Sequence, residues 1–297
     1  MVGMNKKIFY LVGMMIGFVL MVVVQRPSDK TKLVMCDVGQ GDAILIIKGS
    51  IQVLIDGGPS SEKVLTCLTE QIPFYDRKIE LIVLTNTDFD HMSGLIGVVE
   101  RYDVMQFVTS DGVHESDTLN RFRQALEEQE IVVTAVEQGD KIKIAEQDGL
   151  EFAVIWPPKT IAEYVAVIGD QMSEQEREQY LRASAKRGNL NERSVVLTLL
   201  EDNKRILLSG DIGDQAEQQL LEQGILQDID ILKVGHHGSK YANTAEFLAR
   251  VKPEVALISV GAKNRYGHPT KETLERLSKI GAQVRRTDLD GTIEIEL

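Results

Sequence analysis

The sequence predicts an α+β protein in which two β-sheets pack against each other between flanking helices. Three observations predict it. Short β-branched runs alternate with helical stretches, strand pairs joined by tight turns occur in both halves, and 297 residues at 43% apolar leave enough chain for a large buried core. With 24 glycines and 7 prolines the chain is neither collagen-like nor low-complexity, and two cysteines exclude a disulfide scaffold or a cysteine-rich zinc module. Cys36 and Cys67 both have apolar neighbours, so two buried thiols are expected. The net charge of −12 argues against nucleic-acid binding through overall charge. Residues 233–297 nevertheless carry 11 basic against 8 acidic side chains, so a locally basic face can still meet a polyanion.

The first element is a run of 17 uncharged, mostly apolar residues, 8–24, preceded by Lys6 and Lys7 and closed by Gln25, Arg26 and Pro27. As a helix it extends roughly 25 Å, near the lower limit for crossing a bilayer. A cleaved signal peptide has a shorter apolar core and a small-residue cleavage site, and this run ends Val-Val-Val-Gln-Arg. An uncleaved, single-pass transmembrane signal anchor is therefore expected. The leading lysines keep the N-terminus inside and place the rest outside the cytoplasmic membrane. Residues 1–31 are then cytoplasmic stub, transmembrane helix and linker, and 32–297 form the folded domain.

Strands at 32–38, 43–48 and 51–55 are separated by Gly-Gln-Gly-Asp and Gly-Ser and read as a meander. Gly57-Gly58-Pro59-Ser60 breaks the chain before a helix at 61–71. A fully apolar strand at 79–84, a helix at 93–102, a strand at 104–108, a helix at 117–128 and a strand at 131–136 follow. A strand at 151–156 stops at Pro157-Pro158. Residues 159–189 are polar and read as a surface insertion with one exposed helix, whose charge run at 173–187 is a solvated face. Strands at 194–200 and 205–208 flank an Asp-Asn turn. Helices at 214–223, 244–250 and 271–280 then alternate with strands at 230–234 and 255–260, and two strands close the chain. No internal repeat is evident.

Four strands deliver polar groups at their carboxyl ends: Ile55 into Asp56-Gly57-Gly58, Leu84 into Thr85-Asn86-Thr87-Asp88-Phe89-Asp90-His91, Leu208 into Ser209-Gly210-Asp211, and Val234 into Gly235-His236-His237-Gly238-Ser239. If those ends share one edge, the acids and imidazoles converge on a single crevice. Asp88, Asp90 and His91 crowd two carboxylates and an imidazole into four residues, which is unfavourable unless a cation or hydrogen bonds compensate. Histidine with aspartate is a common ligand set for divalent metals.

In order along the chain stand Asp37-Val38-Gly39-Gln40-Gly41-Asp42-Ala43, Asp56-Gly57-Gly58, Asp88-Phe89-Asp90-His91, Ser209-Gly210-Asp211, His236-His237-Gly238-Ser239 and Tyr266-Gly267-His268-Pro269. This order closely resembles the metallo-β-lactamase-like domain at the C-terminus of ComEC-type competence proteins, over residues 32–297. The resemblance implies an αββα sandwich with the metal site at one sheet edge. It implies that Asp90, His91, Asp211 and His236 hold one divalent ion and that Asp211 bridges to a second ion near Asp88. One position departs from the pattern. Asn86 stands where the family's motif begins with histidine, and an amide oxygen is a weak, neutral ligand. The ion count is thus one or two, with Mn²⁺, Zn²⁺ or Mg²⁺ as the ion, the oxygen-rich weak half-site favouring Mn²⁺ or Mg²⁺.

The implied function is metal-dependent hydrolysis, as a nuclease cleaving phosphodiesters in DNA in connection with DNA uptake. Asp88 or Asp90 would orient the attacking water, and His268 would steady a phosphate oxygen or protonate the leaving group. Ser239, Lys240 and Tyr266 would contact the substrate. The chain lacks the polytopic channel region of ComEC proteins, so translocation calls for a separate channel subunit. The alternatives are a catalytically weakened domain that binds DNA or a partner, for which Asn86 speaks, and a hydrolase of a lactam or lactone. Plainer roles stand beside these. Asp56-Gly57-Gly58 can be a structural turn, and Asp37 and Asp42 can close a hairpin loop by Asx hydrogen bonds. Adjacent His236 and His237 point apart, so one is a ligand, expected to be His236, while the other packs. His268 before proline can cap a turn, and His114 is expected in a solvated loop.

Overall fold

The computed structural model describes residues 10–16, 30–110, 115–145, 149–158 and 190–297. His114, the insertion at 159–189 and most of the run 8–24 lie outside the described residues. Residues 10–16 are helical, and among the described residues no helix is long and apolar enough to cross a membrane.

The strands are β1 (Lys32–Met35), β2 (Ile44–Lys48), β3 (Ile51–Ile55), β4 (Lys78–Ile79), β5 (Leu81–Leu84), β6 (Asp103–Val104), β7 (Phe107–Thr109) and β8 (Val133–Ala135). They continue as β9 (Lys141–Ile144), β10 (Leu150–Trp156), β11 (Val196–Glu201), β12 (Lys204–Leu208), β13 (Ile231–Lys233), β14 (Val255–Ile258), β15 (Gln283–Arg286) and β16 (Ile293–Glu296). One seven-stranded sheet has the order β16-β1-β2-β3-β5-β7-β8, the other β15-β14-β13-β12-β11-β10-β9, and β4 pairs β6 apart from both. Although no repeat is legible in the sequence, both sheets run through the same pairings. The strands β16 to β3 and β9 to β12 pair antiparallel, and β3 to β8 and β12 to β15 pair parallel.

The continuous apolar runs belong to central strands such as β5 and β13, which are buried on both faces, whereas edge strands such as β9 and β16 keep an exposed face. Leu33, Met35, Val53 and Ile55 turn inward to meet Leu197, Leu208 and Ile231 of the other sheet. Val34, Leu54 and Ile82 turn outward under the helices Ser61–Gln71 and Asp117–Glu128. On the far side Leu207, Leu232 and Ala256 pack under Asp214–Gln223, Ala245–Val251 and Lys271–Lys279. The result is four layers, helix, sheet, sheet, helix, as the sequence predicted.

Two expectations are corrected. The helix expected at 93–102 begins earlier and is split, into Phe89–Met92 and Leu95–Val99. The break falls at Gly94, where a Cβ would lie 1.9 Å from the Gly57 carbonyl oxygen, so the Gly57-Gly58 turn presses directly on the helix junction. Cys36 and Cys67 form a disulfide, with 5.9 Å between their Cα atoms, instead of two free thiols. Cys67 lies on the buried face of the helix Ser61–Gln71 and Cys36 in the core it covers, and only the folded chain brings them into reach. That bond ties the end of β1 to the helix after the Gly57-Gly58 turn.

Candidate metal centre

The carboxyl ends of β3, β5, β12 and β13 lie along one edge, because each sheet changes there from antiparallel to parallel pairing. Backbone hydrogen bonds clamp the loops together. The Asp42 N–H donates to the Asp90 carbonyl (3.1 Å), the Gly58 N–H to Asp42 (2.7 Å), and the Gly57 N–H to His91 (2.7 Å). Gly41, at φ 129°, lies so close that a Cβ would sit 2.0 Å from the Asp90 carbonyl oxygen, which only glycine permits. The 37–42 loop and the Asp56 turn thus fix the backbone that carries Asp90 and His91.

Two imidazoles are oriented from behind. Asp56, buried at φ 60°, accepts from the Thr85 N–H and hydroxyl (both 2.7 Å), and its Oδ2 lies 2.8 Å from His91 Nδ1. His237 Nδ1 donates to the Ser259 carbonyl (2.9 Å). In both rings the buried Nε2 has no hydrogen-bond partner. His91 Nε2 is 3.1 Å from Asp211 Oδ2, and His237 Nε2 is 3.4 Å from the same oxygen and 3.3 Å from Asp90 Oδ2. Two ligands at 2.0–2.1 Å from a tetrahedral ion stand about 3.3 Å apart. An imidazole whose far nitrogen is held by a carboxylate or carbonyl while the near one is free is the usual form of a metal-binding histidine. Asp90, His91, Asp211 and His237 therefore fit a divalent ion.

The expected ligand of the pair was His236, and here the structure differs. His237 faces the carboxylates and is buried, whereas His236 belongs to none of the metal-capable groups found among the described residues. Its ring stands 5.7 Å from that of His268. The cause is local: both histidines have left-handed backbone, φ 47° and 52°. Such strain persists only where its surroundings fix it. Here Asn243 does so, its Oδ1 accepting from the Gly235 N–H (2.9 Å) and its Nδ2 donating to the Gly235 carbonyl (3.0 Å).

Sequence reasoning missed two charged residues beneath these ligands. Asp42, for which the sequence left a hairpin-loop role open, is buried against the ammonium of Lys233, itself 1% exposed. Lys233 Nζ also donates to the Gly210 carbonyl (2.6 Å) and lies 3.3 Å from Asp211 Oδ1. A lysine inside the apolar run Ile231-Leu232-Lys233-Val234 was the available signal. Asp37, by contrast, does close its own loop, accepting from the Gly39 N–H (3.1 Å).

The charges are strongly coupled. Burial pushes Asp42 up, but Lys233 and His237 outweigh it and hold the carboxyl at about 2. Burial likewise opposes ionisation of Asp211, yet His237, His91 and Lys233 hold it well below the usual range. Burial disfavours a charged His237, and the Asp211 and Asp42 carboxylates overrule it, raising it to about 10. His268 is moved the other way, to about 4, by burial and by the neighbouring His236 and His237, so its ring is neutral at pH 7.

The other expected residues spread around this core. Asn86 is buried, its amide donating to Ser194 Oγ (3.2 Å) and its oxygen accepting from the Asp88 N–H (2.9 Å). Asp88 is half-buried at the start of the turn that carries Asp90 and His91, and it belongs to none of the metal-capable groups among the described residues. Ser239 is buried, its Oγ accepting from the Tyr241 N–H (3.3 Å). Lys240 is exposed, its ammonium 5.0 Å from the Tyr241 ring centroid. Tyr266, 70% exposed, stacks on His268 at 5.9 Å.

A protein-family model described as the metallo-beta-lactamase superfamily matches residues 36–262. ComE operon protein 3 of Bacillus subtilis is 28% identical over 292 residues, covering 90% of this chain and 33% of its own length. Recombination protein 2 of Haemophilus influenzae is 26% identical over 262 residues, covering 87% of this chain and 28% of its own. The chain thus spans about a third of the length of the curated relatives it matches. Among solved structures, the metallo-beta-lactamase fold protein YhfI from Bacillus subtilis aligns with a TM-score of 0.53 at 10% identity, covering 89% of this chain and 100% of that one, a likeness of fold.

Proposed function

The chain belongs to the metallo-beta-lactamase superfamily, and from that premise we propose that it is a divalent-metal-dependent nuclease that hydrolyses phosphodiester bonds in DNA in connection with DNA uptake. The observation that carries the metal dependence is the pair of buried, partnerless Nε2 atoms on His91 and His237, aimed at Asp90 and Asp211. A divalent ion bound there supplies Lewis-acid polarisation of a phosphoryl oxygen and a nucleophile at neutral pH. The competence-named relatives support DNA as the substrate.

The chain's own residues supply the rest. Asp56 and the Ser259 carbonyl hold the two imidazoles in the tautomer that leaves Nε2 free. Asp88, half-buried beside the ligand turn, orients the attacking water, with Asp90 Oδ2 set 3.3 Å from His237 Nε2. Lys240 and Tyr266 bind the phosphodiester from the rim, with Ser239 shaping the turn that presents Lys240. His268, neutral at pH 7, donates a hydrogen bond to a phosphate oxygen and carries no charge there. Residues 8–24 anchor the chain in the cell membrane with the domain outside the cytoplasm. The Cys36–Cys67 disulfide supports that side, since disulfides persist in oxidising compartments. Translocation would fall to a separate channel subunit.

The engagement of Asn86 with Ser194 favours a second reading, a weakened domain that binds DNA or a partner without cutting it. Incubating the full chain with DNA and Mn²⁺ or Zn²⁺ separates the two. Cleavage abolished by Asp211→Ala is expected, and binding without cleavage under any divalent ion would overturn the nuclease. Turnover of a chromogenic β-lactam with no cleavage of DNA would assign the site to lactam hydrolysis.

A further inference from the structure

Beneath the four ligands a further group that can hold a metal, Asp42, Asp211 and His237, shares Asp211 and His237 with them and adds the Asp42 carboxylate. A cation already stands in it. The Lys233 ammonium has three N–H donors and three oxygen neighbours: the Asp42 carboxylate, the Gly210 carbonyl at 2.6 Å and Asp211 Oδ1 at 3.3 Å. Removing it would leave the buried Asp42 carboxylate without the ammonium that faces it, a costly state.

Asp211 is therefore divided. Its Oδ2 faces His91 and His237, and its Oδ1 faces Lys233. On the other side, the Asn86 oxygen accepts from the Asp88 N–H, its amide is turned to Ser194, and neither Asn86 nor Asp88 belongs to a metal-capable group among the described residues. We propose that Lys233 is a built-in cation standing in for a second metal ion, so that the centre holds a single divalent ion and Asp211 serves it through one oxygen. The inference rests on the reading that Asp90, His91, Asp211 and His237 bind an ion. Lys233 is a positioning residue: it touches neither substrate nor ion and acts by fixing Asp42 and Asp211.

The test counts ions. Titrating the metal-stripped full chain with Mn²⁺, by calorimetry and by electron paramagnetic resonance, is expected to give one equivalent and the spectrum of an isolated Mn²⁺. Lys233→Met is expected to bind two equivalents with a spin-coupled spectrum, and Lys233→Arg, which keeps the charge, one. Two equivalents in the wild-type protein would overturn the inference and leave the metal centre standing. So would one equivalent in a Lys233→Met protein whose circular dichroism shows it folded. No binding by the wild-type protein would overturn the metal centre itself. Should Lys233→Met fail to fold, the wild-type count decides alone.

Discussion

The two sides of the Thr85–His91 loop differ in what their polar atoms are left to do. On the imidazole side, Asp56 and the Ser259 carbonyl hold the outer nitrogens of His91 and His237, and the inner nitrogens are buried with no partner. On the amide side, Asn86 spends its oxygen on the Asp88 N–H and its amide on Ser194. Leaving buried polar atoms unsatisfied costs about 1–3 kcal/mol each, so a fold retains them where something binds. The first side has the form of a ligand set awaiting a cation, and the second that of a closed hydrogen-bond network.

Substitutions can break that contrast. The largest effect is expected for His237→Ala, which should lower Mn²⁺ or Zn²⁺ affinity by more than about 100-fold, beyond what loss of a supporting residue costs. His236→Ala should change it less than about tenfold. Calorimetric titration of both variants measures this, and the reverse order would return the ligand role to His236. Asp56→Ala should follow, with about 10–100-fold weaker metal binding, since it removes the carboxylate that holds His91 Nδ1 and the Thr85 N–H. An unchanged affinity would reduce Asp56 to a turn residue.

Proton competition sharpens the comparison further. A metal requires neutral imidazole, and His237 in the metal-free protein is raised to about 10. Affinity should therefore climb with pH between 6 and 9, by up to about tenfold per unit for one released proton. The sign for stability is opposite. The charged His237 contributes stability to the metal-free fold below about pH 6.5, its unfolded value, and that contribution is lost as pH rises through about 10. A metal affinity independent of pH across this range would contradict the coupling.

The disulfide pins the imidazole side from behind, joining Cys36, just before the 37–42 loop, to Cys67 after the Asp56 turn. Closing a loop of 31 residues contributes about 3–4 kcal/mol in the chain-entropy treatment. Urea unfolding with and without reductant reads that difference, and equal midpoints would show the cysteines unpaired. The smallest effect belongs to the amide side. Asn86→Ala should leave affinity for the first ion within about threefold, and a larger loss would make Asn86 a ligand.

Much of this was legible before folding. The strand ends that deliver Asp90, His91 and Asp211 follow from apolar runs stopping at glycine and acid, and burial on both faces explains why those runs do not alternate. The sequence could not show which of two adjacent histidines turns inward, because left-handed backbone at His236 and His237 is imposed by Asn243, which lies beyond the motif. Nor could it show that Cys36 meets Cys67, or that Lys233 reaches Asp42 across the two sheets, since these are contacts between distant segments. An ionisable residue within an apolar strand was the one trace Lys233 left.

Anomalous diffraction from crystals of the full chain grown with Zn²⁺ or Mn²⁺ tests the convergence of the four side chains most directly. One peak at bonding distance from the Nε2 atoms of both His91 and His237, with Asp90 and Asp211 oxygens completing its shell, is expected. A peak on His236 in place of His237, or none within reach of Asp211, would contradict it.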